Sequence, residues 1–563
     1  MKLRTPRGFQ DIMLDEAELR EGVCRRIGDY FASMNYRLIE TPVAERMDSL
    51  SAGFSRDSSP LIDDAFRFVD VDGELLVLRS DVTLPLARVV ATRFDNVAGP
   101  YRLRYCTDVF REQEALRGQS RVLTQLGVEF LDAKGLEADF EIIQVALGGL
   151  AACGLLSYVI NINNVAIFLA CVEQAVQSGN DVSLEWEKAV IASAHKGDFV
   201  GVRTLCSQVC MTDELRSCIT TLPFVRGGRD ALIEARSLIE KASVKAALDA
   251  LAELEALFNA CEVQGLAEHI IVDMSLMPDL NYYTGLVFEI YSPYETLSLG
   301  SGGRYDQMAA LMGRPMPGAG FAYNVARLAS ALKSQDDTSS RTPVLGADRL
   351  KIAIPKGSLY ADSLNILEQA GFDVEPLREP KRQLRILTND LDVVIAKPTD
   401  VAIYVANGAV QCGIGGKDIL LEANYPLLEL VDLKYGTCKF VVAQPDEDDM
   451  SLTERALAQG LVRVATKYPR VTSTFFDELG IQAEIVKLNG NIELAPLIGI
   501  ADVIVDITAT GTTLRENRLT PIVDVLDISA RFVANPAALR SDARVSSLAK
   551  TLYDLTKEGT TCN

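Results

Sequence analysis

The spacing of apolar residues changes once along this chain, and the change divides it in two. Up to Leu332, stretches with apolar residues every three or four positions, such as Glu137 to Cys153, alternate with strand-like runs such as Tyr101 to Val109 and Val122 to Phe130. That mixture predicts an α+β region built on an antiparallel sheet. Within it, residues 181–261 are rich in Ala, Leu and Glu at helical spacing, which predicts a helical insertion. From Lys333 to Arg349 the periodicity stops while Ser, Thr, Asp and Pro accumulate, the mark of a linker. Beyond it a short apolar strand, a turn and an amphipathic helix recur. LKIAI (Leu350 to Ile354) leads into PKGS and a helix ending at Gly371, LDVVIA (Leu391 to Ala396) into KPTD and a helix ending at Gly408, and VQCGI (Val410 to Ile414) into GGKD and another helix. This rhythm predicts a parallel sheet. The expected organisation is therefore multi-domain: 1–332, a linker at 333–349, and 350–563.

Length agrees, because 563 residues exceed what one hydrophobic core of about 250–300 residues can serve. With 77 acidic against 56 basic residues the formal charge is −21, which repels phosphodiester backbones and argues against a nucleic-acid partner. The 11 cysteines are scattered, and the closest pair, Cys206 and Cys210, lacks the second pair or histidine cluster of a zinc site. They read as reduced thiols of a cytoplasmic protein. MKLRTPRGFQD at the start has no apolar stretch behind it, so no signal peptide is expected. Nor is a membrane span, since the richest apolar stretch, Val145 to Ile160, is broken by Gly148, Gly149 and Gly154.

Candidate chemistry gathers at strand ends. Lys356, Lys397 and Lys417 each stand just past a strand, with Gly357, Gly415 and Gly416 beside them. In α/β sheets the carboxyl ends of strands and the free N–H groups of helix starts share one edge, where anions bind. Three cations there suggest a polyphosphate site, although one such lysine alone would merely solvate a loop tip. A stronger signal is VIVDITATGTTL, Val503 to Leu514, a buried-type strand that ends at Asp506 before a Thr/Gly loop opens a helix. Gly511 permits close backbone approach, and Thr508, Thr510, Thr512 and Thr513 supply hydroxyls beside free N–H groups. Asp506 is placed for ribose hydroxyls or a magnesium ion. Glu493, in NGNIELAP, reads equally as a second ligand for ribose or metal and as a solvated or capping carboxylate.

From Leu350 to about Arg540 the chain resembles the catalytic ATP phosphoribosyltransferase family from end to end. The resemblance is carried by IAIPKGSL, AKPTDVAIYV, GIGGKDILLE, RVATKYP, KLNGNIELAPLIGIADVIVDI, TATGTTLREN and DISARFVANP, in family order. It implies two α/β lobes around a cleft, of the periplasmic-binding-protein kind. Leu350 to about Val442 and the C-terminal tail would form one lobe, and the stretch between them the other. The implied reaction is attack by ring nitrogen 1 of ATP on the anomeric carbon of phosphoribosyl diphosphate, with release of pyrophosphate and with Mg2+, the first step of histidine biosynthesis. Such a reaction needs alignment and charge stabilisation more than a general base, and no histidine follows residue 269. By this resemblance Asp506, Thr508, Ala509, Thr510, Gly511, Thr512 and Thr513 would hold phosphoribosyl diphosphate, with Asp506 and Glu493 acting in catalysis. Lys356, Gly357, Ser358, Lys397, Gly415, Gly416 and Lys417 would hold ATP and pyrophosphate. Ser358 and Lys397 stand where many members carry arginine.

The front region, from about Thr5 to Leu332, resembles class II aminoacyl-tRNA synthetases and in particular histidyl-tRNA synthetase. The matching segments are LRSDVTLPLAR, YRLRYCTDVFREQEALRGQSRVLTQLGVEF, LNYYTGLVFEIY and GSGGRYDQM. An amino-acid pocket follows: Arg111 for a carboxylate, Asp81, Gln125 and Glu129 for an ammonium group, Tyr282 or Tyr283 beside an imidazole, and Thr83 among them. Pro42 and the class II resemblance imply a homodimer or higher homo-oligomer. The synthetase's Arg-Gly-Leu-Asp-Tyr-Tyr is here Pro278, Asp279, Leu280, Asn281, Tyr282 and Tyr283, so its substrate-activating arginine is gone, and no anticodon-binding domain follows. That pattern is similar to the regulatory paralogue of short-form ATP phosphoribosyltransferases, which senses histidine. With the chain ending at Asn563, regulation by histidine as inhibitor is expected through the front half.

Overall fold

Side-chain alternation along the strands gives the front half two unlike faces. The computed structural model describes residues 4–48, 65–94, 99–112, 120–178, 182–278, 282–339 and 349–558, and the chain divides into two units, Met1–Val344 and Leu345–Asn563. In the first, nine strands form one sheet in the order Arg37–Leu38, Tyr101–Phe110, Val122–Leu131, Gly318–Asn324, Gly300–Arg304, Leu286–Tyr291, Val159–Asn164, Ile270–Asp273 and Arg226–Gly227. Neighbours run antiparallel except for the first pair and for Val159–Asn164 beside Ile270–Asp273. Leu126, Val128, Phe130, Phe321 and Tyr323 point to one face and join the main core beneath the helices Leu14–Ser33, Gly135–Cys153 and Val325–Ser339. Each such side chain contributes about 1.5–3 kcal/mol by leaving water. By the period of two, Gln125 and Glu129 point to the opposite, polar face.

The helical insertion comprises Leu184–His195, Phe199–Ser207, Asp213–Thr221, Arg229–Ala242 and Lys245–Val263. Ser183, Asp198 and Thr212 cap the first three of these by accepting backbone N–H groups. Helix Val325–Ser339 runs past Leu332 into the segment read as linker. Polar contacts hold it there: the Gln335 amide accepts from Leu156 N at 2.7 Å and donates to Gly154 O at 3.0 Å, which apolar periodicity does not register. Residues 340–348 of the expected linker lie outside the described residues.

The second unit holds two sheets. The first has the order Arg385–Leu387, Leu391–Ala396, Leu350–Pro355, Cys412–Gly416, Ala530–Ala534, Leu428–Asp432. Only Leu391–Ala396, Leu350–Pro355 and Cys412–Gly416 are parallel; the others run antiparallel, so the expected parallel sheet is a mixed one. Arg385–Leu387 reverses through a short turn onto Leu391–Ala396, and Ala530–Ala534 follows directly from a strand of the other sheet and so enters from the opposite end. The second sheet has the order Ala483–Lys487, Val462–Thr466, Val503–Thr508, Cys438–Pro445, Leu519–Ile528. Val442 lies in it, which moves the lobe boundary back from about Val442 to before Cys438.

Asn535 ties these pieces together. It is 1% exposed, caps helix Pro536–Ser541 by accepting Ala538 N at 3.1 Å, and donates to Val405 O at 3.0 Å and Ala406 O at 3.3 Å at the end of helix Pro398–Ala406. Asn535→Ala removes a cap and strands buried carbonyls, so urea unfolding of this unit is expected to show a loss of about 2–3 kcal/mol.

Candidate active site and amino-acid pocket

The Val503–Thr508 strand runs two residues beyond the end read from the pattern because Cys438–Pro445 pairs with it as far as Thr508, which faces Lys439, whereas Val462–Thr466 flanks it only to Val505. Asp506 is therefore held within the strand, 8% exposed, and its Oδ1 accepts the N–H of Ile507 at 2.9 Å. Burial raises its carboxyl above the ordinary range. The Ile507 N–H and Lys467, with Nζ 3.8 Å from Oδ2, pull it back, while Glu493 and Asp418 push it further up. Several carboxyls thus bear on one point, where a cation is favoured. Glu493 occupies the position before helix Leu494–Leu497 but makes no capping bond, so the capping reading of this residue is not what the structure shows.

After Thr508 the chain turns. Thr508 Oγ1 accepts Gly511 N at 2.9 Å, and Gly511 sits at φ +70, a backbone region costly for residues with a Cβ. Thr510 and Thr512 hydroxyls lie 2.9 Å apart, and Ala509, Thr510, Thr512 and Thr513 are exposed. Thr512 and Thr513 open helix Thr512–Glu516, so their N–H groups have no intrahelical acceptor. Arg515, to which the sequence reading gave no role, folds back to donate to Thr510 O at 3.0 Å and brings a cation to the loop.

Lys356 and Lys397 follow strand ends that are register partners, Pro355 opposite Ala396, and both are exposed on one sheet edge with Gly357 and Ser358. A groove of about 630 Å3 opens there, lined by Lys356, Gly357, Tyr360, Lys381, Arg382 and Gln383. Lys381 and Arg382 add charge that the strand-end signal could not find, because they belong to no strand end. Lys417 does not join this edge as a free cation. Its Nζ lies 2.6 Å from Glu429 Oε2, whose other oxygen takes Arg531 Nε at 2.8 Å, so its charge is spent within the lobe. Gly415 and Gly416 are buried in the ladder against Arg531 and Ala530.

In the front unit, Asp81, Thr83, Arg111, Gln125, Tyr282 and Tyr283 line one small cavity of about 50 Å3 on the polar face. Arg111 is held by Ser80 O at 2.9 Å. Asp81 is buried, with Oδ2 lacking any hydrogen-bond partner; burial lifts its carboxyl to about 6 against the pull of Arg111 and the Leu84 N–H. Glu129 is buried beside this cavity, bonded to side chains that line it. Thr83 Oγ1 donates to it at 2.8 Å, and Tyr305 and Tyr105 also donate to it. Burial pushes Glu129 to about 8. A Cβ at Gly320 would come 1.9 Å from its Oε2, so this strand position leaves room for the carboxyl only as glycine. Asp279, Leu280 and Asn281, which mark the departure from the synthetase, lie outside the described residues.

Residues 8–328 match the histidyl-tRNA synthetase family and residues 397–554 the ATP phosphoribosyltransferase family. The second unit is similar to the ATP phosphoribosyltransferase of Carboxydothermus hydrogenoformans, 43% identical over 37% of this chain and 93% of that protein. The chain belongs to the ATP phosphoribosyltransferase family, joined to a front half of the histidyl-tRNA synthetase family. That front half is similar to the ATP phosphoribosyltransferase regulatory subunit of Ruminiclostridium cellulolyticum, 32% identical over 61% of this chain and 79% of that protein. Its fold is similar to a structure from Bacillus halodurans described as an ATP phosphoribosyltransferase regulatory subunit/histidyl-tRNA synthetase, with TM-score 0.54, 25% identity, and coverage of 70% of this chain and 98% of that one. Membership in these families agrees with the multi-domain reading of a synthetase-like sheet followed by a two-sheet transferase.

The raised Glu129 carboxyl has a signature. Its folded pKa of about 8 exceeds the ordinary 4.5, so between these values the folded chain holds a proton that the unfolded chain has lost. Its contribution is present below pH 4.5 and lost as pH climbs to about 8. Glu129→Gln, which cannot ionise, is expected to flatten that decline in urea-unfolding stability measured across the window.

Proposed function

We propose that one polypeptide performs ATP phosphoribosyl transfer and senses histidine. In the second unit, Asp506 orients the ribose hydroxyls of phosphoribosyl diphosphate while Thr508, Ala509, Thr510, Gly511, Thr512 and Thr513 cradle phosphate. Lys356 and Lys397, with Gly357, Ser358 and the Lys381–Arg382 groove, hold the phosphates of ATP and the departing pyrophosphate. Glu493 shares the carboxyl cluster. The observation that carries the reading is the buried Asp506 at the head of this loop, drawn toward ionisation by Lys467.

Among the described residues no group of three or more His, Cys, Asp or Glu forms a metal cage. Asp506, with Glu493 and Asp418 acting on it, fits a magnesium ion carried mainly by substrate phosphates, which usually takes one or two carboxylates from the protein. Magnesium would supply charge neutralisation of the leaving pyrophosphate. The chain's own residues align the purine nitrogen with the anomeric carbon, and no covalent nucleophile is needed.

In the front unit Asp81 takes the ammonium group of histidine, Arg111 its carboxylate, and Tyr282 or Tyr283 its ring, with Gln125 and Thr83 beside them. These side chains line one cavity on the polar face. Glu129 acts from beside it as a charge reserve. Inhibition requires that histidine bind one state of the chain more tightly than another. We also propose a homodimer or higher homo-oligomer through the front unit. A cytoplasmic setting is supported by the free cysteines and by the absence, among the described residues, of any helix long and apolar enough to cross a membrane.

Purified chain supplied with ATP, phosphoribosyl diphosphate and magnesium is expected to form phosphoribosyl-ATP, with histidine suppressing it and Asp506→Asn lowering kcat by about 10²-fold or more. No product under any condition would sink the reading. A bound ammonium also favours carboxylate, so at pH 7 histidine binding should expel a proton, mainly from Glu129 at about 8. Calorimetry in buffers of different ionisation enthalpy measures that release, and Glu129→Gln is expected to abolish most of it.

A further inference from the structure

Lys467 follows the Val462–Thr466 strand, which runs parallel to Val503–Thr508 with Thr466 opposite Val505. The two strand ends are neighbours, and the Lys467 ammonium stands beside Asp506. At 3.8 Å from Oδ2 it makes an ion pair but no hydrogen bond, and its side chain is 40% exposed. The head is thus near the carboxylate and open to solvent.

Its backbone is pinned from both lobes. Thr466, fully buried, accepts Tyr468 N on Oγ1 at 2.9 Å. Tyr468, 7% exposed, sets its ring edge-on to Phe440 and donates its hydroxyl to Asp418 Oδ2 at 3.1 Å. Helix Pro469–Glu478 begins next, and Glu422 Oε2 accepts its Arg470 and Val471 N–H groups at 3.0 and 3.3 Å. Asp418 and Glu422 lie one turn apart on helix Lys417–Ala423 of the first lobe. Thr466 and Tyr468 point inward, so Lys467 is the residue of this turn that reaches the loop mouth. The backbone under this ammonium is fixed, while the ammonium itself, on a flexible stem beside Asp506 and open to solvent, is free to meet an anion there.

We propose that Lys467 binds a phosphate group of phosphoribosyl diphosphate beside Asp506, and that Asp418 and Glu422 of the first lobe position it through the Tyr468 turn. This rests on the reading that the Thr/Gly loop holds that substrate. In the empty site the ammonium offsets the Asp506 charge, and on binding it passes to a phosphate oxygen. The bracing also makes the phosphate contact depend on the arrangement of the two lobes.

The test compares full-length wild type, Lys467→Met and Lys467→Arg. With Met, KM for phosphoribosyl diphosphate is expected to rise about tenfold or more while KM for ATP stays within about twofold, and Arg should restore most of the loss. Inhibition by pyrophosphate and by ribose 5-phosphate tells which phosphate is held, since the affected inhibitor weakens by the same factor. Asp418→Asn is expected to raise the same KM by a smaller factor. Unchanged KM and unchanged inhibition by both probes in the Met variant would overturn the proposal, as would a loss confined to kcat that Arg fails to rescue. An inactive wild type would instead refute the transferase reading.

Discussion

The transferase half depends on keeping a carboxyl charged where water is scarce. Asp506 sits within a paired strand because Cys438–Pro445 pairs with Val503–Thr508 past it, and that same pairing aims the Thr/Gly loop. Desolvation opposes its charge and neighbouring acids add to the penalty, so a cation at this point favours the ionised form. The two lobes provide that cation jointly: one supplies the strand and Lys467, the other the Asp418 and Glu422 contacts that fix the turn carrying it. Chemistry that runs on alignment and charge stabilisation gains directly from such preorganisation.

The front half shows a synthetase-like sheet whose polar face carries a small cavity. Its acids are held close to neutrality by burial, and the unpartnered Asp81 oxygen leaves one polar bond to be made by whatever binds. Pro278 stands where the synthetase has arginine, and proline offers neither charge nor donor. The proposed role, binding histidine without activating it, fits that replacement.

Much of this was legible because period and strand-end chemistry are local. Tyr101–Phe110, Val122–Leu131, Gly135–Cys153 and the three strand-to-helix turns of the second half lie where apolar spacing placed them. The Thr/Gly loop and the paired Lys356 and Lys397 were readable for the same reason. What failed was non-local. Lys417 carries the strand-end signal, but its partner Glu429 comes from another strand, and only the fold shows that its charge is taken. Glu129 shares the pleat of Gln125, and what the pattern does not show is that Thr83, Tyr105 and Tyr305 enclose it and that Gly320 of a neighbouring strand leaves its carboxyl room. The mixed sheet and the place of Val442 depend on which lobe each strand returns to, which a repeating pattern does not encode. Lys467, within RVATKYP, has no local signal of its role, since its meaning comes from a parallel neighbour about forty residues away.

The central claim is that two units of one chain share a thermodynamic cycle. If histidine disfavours the substrate-bound state, substrate must disfavour histidine by the same factor. Calorimetric titration of histidine into the purified chain, with and without saturating phosphoribosyl diphosphate, measures this directly. The account predicts a weaker histidine Kd with substrate present, by the factor that histidine imposes on substrate binding; identical Kd values would contradict it.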